Sequence, residues 1–201
     1  FLYSDGAVAR RLHRQYGVPY VVAVRNTDVN SFMKLRPDLR WICWDVVRHA
    51  RRIVFVTPAY REALQRRAPG DARQVLERRS SIVPNGIDDF WLQPPPPPPA
   101  RSESDPLRLL YVGDFTRNKN VVGTIRAMQA LNERRAATLT LVGGGGDGEA
   151  EIDAMLAGPS GAIVRRVGRV ESRDALRAIY REHDVFVMSS FLETFGVAYV
   201  E

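Results

Sequence analysis

Asp184-Val-Phe-Val-Met-Ser-Ser-Phe-Leu-Glu-Thr-Phe-Gly-Val-Ala-Tyr-Val-Glu201 brings three kinds of signal together. The apolar run 185–188 has the propensity of a parallel strand buried on both faces. A polar turn follows. From Thr194 the apolar residues Phe195, Val197, Ala198 and Val200 suit the opening of a packed helix, with Thr194 capping its first amides. Glu193 then sits at a strand-to-helix crossing. Ligands bind at such crossings, at the carboxyl ends of parallel strands, and a helix N-terminus there offers unpaired amides to an anion. Gly196 would let a phosphate approach the backbone. Glu193 and Glu201 are eight residues apart, so Glu201 would lie about two helical turns along the same wall, within reach of one ligand. The alternative is an exposed Glu201 and a Glu193 that only favours the helix dipole.

Upstream, the pattern alternates strand 107–112, helix 120–134, strand 138–142, helix 149–157, strand 162–167, helix 172–182 and strand 184–189. This is half of a doubly wound α/β sheet. The loop Gly113-Asp-Phe-Thr-Arg-Asn-Lys-Asn120 follows the first of these strands and opens on the same crevice as Glu193. Arg117, as a fork, and Lys119, as a point charge, would hold a diphosphate there; a solvated basic loop is the alternative. The glycines 143–146 lack the Gly-Lys-Ser/Thr of a Walker loop and the spacing of a dinucleotide fingerprint, and read as a tight turn bordering the crevice. Gly168-Arg-Val170 ends the third strand, with Arg169 either at the site or at the surface.

The first half carries a helix over 5–16, broken by Gly17-Val-Pro19, then an apolar strand over 20–24. That strand delivers Arg25-Asn-Thr-Asp-Val-Asn30 to its carboxyl end, which makes Arg25 and Asp28 candidate site residues. A surface loop with a helix cap at Asp28 or Asn30 is the competing reading. A helix over 38–50 puts Trp41 and Trp44 on one face, as core or as a sugar platform. A strand at 53–56 leads through Thr57-Pro58, an N-cap with proline at the first helical position, into a helix over 59–67. Residues 81–84 are extended, and Asn85-Gly86 signals a turn. Prolines 94–99 cannot belong to a core and read as an extended polyproline spacer, so the expected division is 1–92, a linker over 93–105, and 106–201.

The net charge of +6 favours anionic partners such as nucleotide phosphates, nucleic acid or an acidic membrane surface. Only two lysines, at 34 and 119, accompany 27 arginines. The arginines scatter over the expected helices, which argues against nucleic-acid binding. The single cysteine, Cys43, excludes an internal disulfide, and no Cys/His cluster surrounds His13, His49 or His183. No stretch approaches the roughly 20 apolar residues of a membrane helix, and no signal peptide is visible. A start at Phe1 without methionine, and a stop at Glu201 inside an uncapped expected helix, read as a fragment.

These residues resemble a known family. Glu193-Thr-Phe-Gly-Val-Ala-Tyr-Val-Glu201 is similar to the Glu-x7-Glu motif of retaining family-four glycosyltransferases with the two-domain GT-B fold. Val83-Pro-Asn-Gly-Ile-Asp88, Tyr111 to Asn120, Leu141 to Gly146 and Gly168 to Val170 stand in the family's order. The resemblance implies two Rossmann-like doubly wound domains, both incomplete in this chain: the C-terminal part of an acceptor-side domain, then a truncated nucleotide-sugar-binding domain. It implies transfer of a sugar from a nucleotide-diphosphate donor to a saccharide or lipid-linked acceptor with retention, of the polysaccharide-building type, at the cytoplasmic side of a membrane. No cofactor or metal is expected. Glu193, Arg117 and Lys119 would be catalytic. Gly113, Arg169, Val170, Thr194, Phe195, Gly196 and Glu201 would bind the donor, and Arg25 and Asp28 would face the acceptor. Two positions depart from the family: Arg25 stands where a histidine is usual, and Asp114 where an arginine follows the glycine. The competing functions are a catalytically silent nucleotide-sugar binder, a related GT-B epimerase or phosphorylase, and, remotely, a nucleic-acid-binding protein.

Overall fold

The apolar runs pair as two separate parallel sheets, one in each half of the chain. The computed structural model describes residues 1–94, 102 and 104–201, which divide into two units, Phe1–Gly86 and Ile87–Glu201.

The first unit has strands β1 (Val21–Val24), β2 (Arg52–Phe55) and β3 (Ser80–Ile82), paired in that order and all parallel. Its helices are α1 (Ser4–Tyr16), α2 (Met33–Leu35, entered through a π-helical turn, Asp28–Phe32), α3 (Arg40–His49), α4 (Pro58–Gln65) and α5 (Gly70–Arg79). The core joins Val22, Val24, Ile53 and Phe55 of the strands to Cys43, Trp44, Val46 and Val47 of α3. Fully burying apolar side chains of this size stabilises by about 1.5–3 kcal/mol each. Thr57 caps α4 as expected, its hydroxyl accepting the Tyr60 amide at 3.3 Å. The two tryptophans separate: Trp44 is buried, whereas Trp41 is 68% exposed. The buried stripe of α3 runs through positions 43, 44, 46 and 47, and at 3.6 residues per turn Trp41 falls on the other side of the helix. On α1 the apolar residues Val8, Leu12 and Tyr16 are exposed, and Gly6 makes the close approach: a Cβ there would meet Val46 Cγ1 at 3.0 Å.

The second unit has strands β4 (Leu107–Val112), β5 (Ala137–Val142), β6 (Val164–Gly168) and β7 (Val185–Phe186), all parallel and ordered β6-β5-β4-β7. Helices α6 (Val121–Asn132), α7 (Glu149–Leu156) and α8 (Arg173–Arg181) connect them. Jumping from β6 across to β7 on the far side of β4 is the doubly wound topology, and it creates a switch point where the loops after β4 and β7 part.

Two expectations fail here. The strand read over 184–189 pairs only at 185–186 and lies at the edge of the described sheet, leaving Val185 39% exposed. No α-helix capped by Thr194 follows: Gly196 takes a left-handed conformation (φ 72°) and starts a 3₁₀ turn, Val197–Tyr199, without a side-chain cap. The apolar residues after Gly196 fold back instead. Ala198 packs on the core and the Tyr199 hydroxyl donates to the Met188 carbonyl.

The units divide at Gly86/Ile87, ahead of the boundary at 92 read from the sequence. Residues just after the division dock on α8: Asp88 pairs with Arg173 at 2.7 Å, the Arg177 guanidinium lies 4.3 Å from the Phe90 ring, and Trp91 meets Tyr180 edge-on at 5.8 Å. Prolines 95–99, the greater part of the expected polyproline spacer, lie outside the described residues.

Candidate functional site

At the carboxyl edge of the second sheet the strand ladder continues into glycines. The Gly113 amide donates to Val142 O and the Gly143 amide to Gly168 O, so Gly113, Gly143 and Gly168 stand abreast at the ends of β4, β5 and β6. The approach is too close for a side chain: a Cβ on Gly143 would lie 1.9 Å from the Gly113 carbonyl oxygen, at a φ of 129°. The remaining glycines of 143–146 wrap the buried Phe115, whose amide donates to Gly145 O while Gly148 N donates to Phe115 O. The glycine run is thus the tight turn expected of it.

After β4 the chain makes a 3₁₀ turn, Arg117–Lys119, then Asn120 turns left-handed (φ 53°) at the head of α6. Asparagine tolerates that region better than other non-glycine residues. This turn is bound to the loop after β7. Lys119 Nζ lies 2.6 Å from Glu193 Oε1 and 3.8 Å from Met188 Sδ. Asn118 Nδ2 donates to Leu192 O at 2.9 Å, and the Phe191 amide donates to Asn118 O at 2.8 Å. Asn120 Nδ2 donates to Ser189 O at 3.2 Å, and the Ser189 and Thr124 hydroxyls are 2.8 Å apart.

Lys119 and Glu193 are both about three-quarters covered, with side chains 26% and 28% exposed. Partial burial opposes ionisation of Glu193, but the hydrogen bond and charge of Lys119, with the Ser190 hydroxyl and the Thr194 amide beside the carboxylate, outweigh it and hold the carboxyl below its ordinary range. Beneath, the Tyr111 phenol donates to Asp114 O at 2.7 Å and is pushed up by burial, with Asp114 and Glu193 adding to the effect.

The other candidates divide. Arg169 reaches back over the edge to Asp114 Oδ1 at 3.1 Å and to Gly144 O at 3.2 Å, so it does border the crevice, with Val170 half-buried beside it. Arg117 does not join Glu193: among the described residues its guanidinium forms no ion pair, and it lines an open cavity of about 270 Å³ with Thr116, Asn120 and Phe191. Its backbone amide is held by Asp147 Oδ1 at 2.8 Å. Phe195 is half-buried and Gly196 buried, so their amides lie in the turn beside Glu193 rather than at a helix head. Thr194 contributes an amide to Glu193, not a cap. Glu201 is exposed, and the expected helical wall that would align it with Glu193 is replaced by the 3₁₀ turn.

In the first unit, Arg25 ends β1 and donates from Nη1 to Asn85 Oδ1 at 2.9 Å. Asp28 corrects the expectation. It is 1% exposed, and its oxygens accept the amides of Leu2 (3.2 Å) and Arg25 (2.9 Å), so it caps the turn rather than facing a ligand. Burial raises its pKa against those hydrogen bonds.

The sequence reading passed over Asn118, Asn120 and Ser189. An asparagine on each side of the one lysine of a strand-to-helix turn was the available signal, since asparagine bonds local backbone and accepts left-handed φ. Among the described residues no three His, Cys, Asp or Glu side chains cluster as a metal site, and Glu151 and Asp153 flank the buried Ile152 on α7. No described helix is long and apolar enough to cross a membrane.

Comparison with known proteins fits this geometry. Residues 106–201 match the family described as glycosyl transferases group 1. The fold is similar to that of the apo lipopolysaccharide outer core galactosyltransferase WaaB, at 15% identity and TM-score 0.69 over 98% of this chain and 50% of that one. It is similar to HepE from Anabaena in complex with UDP and glucose, at 14% identity and TM-score 0.64 over 96% and 52%. A UDP-forming α,α-trehalose-phosphate synthase from Burkholderia xenovorans matches at 13% identity and TM-score 0.63 over 96% and 53%. The chain spans about half the length of these structures. No curated protein matches by sequence. The segment that carries the Lys119–Glu193 pair, residues 106–201, is thus the part that matches the glycosyl transferases of group 1, in a chain of GT-B fold.

Proposed function

We propose that this chain supplies the donor site of a glycosyltransferase that moves a sugar from a nucleotide-diphosphate donor to a saccharide or lipid-linked acceptor with retention of configuration. The observation that carries the proposal is the Lys119–Glu193 pair, held at the carboxyl edge of a doubly wound sheet at its switch point. HepE, with a similar fold, has been crystallised with UDP and glucose and with UDP-glucose.

In this reading Glu193 stays ionised at neutral pH and accepts hydrogen bonds from sugar hydroxyls. Lys119 turns its charge to the diphosphate as the sugar bond breaks and the transition state separates an oxocarbenium-like sugar from an anionic leaving group. Amides around Phe195 and Gly196 approach the phosphates, Gly113 leaves room for them, and backbone at Arg169 and Val170 borders the base. Arg117, from its own cavity, would have to swing to reach the diphosphate. Glu201 would take the ribose hydroxyls, and Arg25 would face the acceptor. The cations would stand in for a metal, and with a lipid-linked acceptor the work would lie at the cytoplasmic face of a membrane.

The test is transfer of labelled sugar from UDP-, GDP- and ADP-sugars by the full chain, with and without saccharide acceptors, and the product's anomeric configuration read by NMR. Acceptor-dependent transfer with retention is expected. Donor turnover without acceptor would favour an epimerase or hydrolase.

A further inference from the structure

We infer that Asn118 is a positioning residue, which sets the distance between Lys119 and Glu193 by clamping the loop after β7 to the turn after β4. The inference rests on the donor-site reading for its consequence in catalysis, but not for its geometry.

The strands β4 and β7 pair through only two residues each, and their ladder ends where Val187 N donates to Leu110 O. Beyond that point nothing in the sheet fixes Glu193, six residues further on, relative to Lys119. Asn118 supplies the missing register. Its carbonyl accepts Phe191 N–H at 2.8 Å and its side-chain amide donates to Leu192 O at 2.9 Å, so one residue grips two consecutive residues of the facing loop. Leu192 directly precedes Glu193 and Asn118 directly precedes Lys119. The paired charges therefore emerge one residue beyond a two-point clamp. Asn120 bonds the loop further back, at Ser189, which steers its departure from β7 rather than the residues before Glu193.

The charged and titratable groups facing Glu193 are Lys119 and the Tyr111 phenol, with the Ser190 hydroxyl and the Thr194 amide beside them. Asn118 does not touch the carboxylate in this set. Its effect on Glu193 runs through the backbone of Leu192.

The experiment follows the Glu193 carboxyl by ¹³C NMR titration in the full chain without donor, in wild type, Asn118→Ala and Asn120→Gly. The glycine variant keeps the left-handed turn. Asn118→Ala should move the Glu193 midpoint up toward the ordinary carboxylate range, and Asn120→Gly should leave it nearly in place. On transfer, Asn118→Ala should lower kcat/KM by about 10²-fold, mostly in kcat, the effect of a small misplacement of reacting groups. An unmoved midpoint in folded Asn118→Ala overturns the inference, and so does an equal shift in Asn120→Gly. A shifted midpoint in a protein whose wild type binds no nucleotide sugar upholds the positioning and overturns the donor-site reading instead.

Discussion

Lys119 Nζ lies 2.6 Å from Glu193 Oε1, joining two loops 74 residues apart in sequence. Both side chains are mostly covered, so their mutual attraction is screened less than at an open surface. The pair lets each charge stay in a partly dry crevice before an anionic ligand arrives. A lysine poised in this way can exchange a carboxylate for a diphosphate at small cost in reorganisation.

Replacing either partner should separate stability from catalysis. Lys119→Ala and Glu193→Gln should each destabilise the fold modestly, with a coupling of about 1 kcal/mol in a double-mutant cycle of urea unfolding. Activity should fall much further, by roughly 10²–10³-fold for Lys119→Ala. A coupling near zero would mean the pair is not formed in solution.

The Glu193 carboxyl is held below its ordinary range in the folded chain. A depressed folded-state pKa contributes stability that is fully present above the unfolded value, about 4.3, and is lost as pH falls through the folded value. The difference in unfolding free energy between wild type and Glu193→Gln should therefore be flat above about pH 5 and shrink in acid. A difference that grows on acidification would reverse the sign and contradict the pairing.

Gly143→Ala brings a methyl group to 1.9 Å from the Gly113 carbonyl, at a φ of 129° that alanine rarely adopts. Separating the ends of β4 and β5 should cost at least the 1–3 kcal/mol typical of overpacking. For a chain of this size that lowers Tm by roughly 2–10 °C. Gly17→Ala is the control: it is also left-handed, at φ 70°, but has no atom within 4 Å of the added methyl, so its loss should be smaller.

Asp28→Asn keeps the shape of the side chain but turns one acceptor into a donor, facing the Leu2 or the Arg25 amide. A buried mismatch of this kind costs about 1–3 kcal/mol. Stability should drop while KM for the acceptor stays unchanged, because Asp28 is 1% exposed. A KM effect without loss of stability would restore Asp28 to the acceptor site.

Much of this was legible in the chain itself. The bounds of β4 are those read from the alternation of apolar runs, and the Thr57-Pro58 cap formed because its chemistry is local. Lys119 and Glu193 were identified separately, but their contact depends on which strands become neighbours, and β4 and β7 become neighbours only through the crossover after β6. The helix expected after Thr194 failed for a related reason. A fold-back that packs Ala198 on the core and bonds Tyr199 to the Met188 carbonyl competes with the helix, and periodicity over so short a run cannot separate the two. Asp28 was misread because a buried cap and a ligand-facing acid look alike at the end of a strand, until the Leu2 amide, 26 residues away, closes on it.

The most direct measurement is the thermal unfolding of the full chain with saturating UDP, GDP, ADP and their sugar conjugates, beside Glu193→Gln and Lys119→Ala. Ligand at 100 times its Kd adds about 2.7 kcal/mol, a rise of roughly 5–10 °C at this size. A donor site at Lys119 and Glu193 requires such a rise with the conjugates of one base, clearly reduced in both variants. A folded chain whose Tm responds to none of them, or responds equally in all three proteins, would contradict a donor site at Lys119 and Glu193.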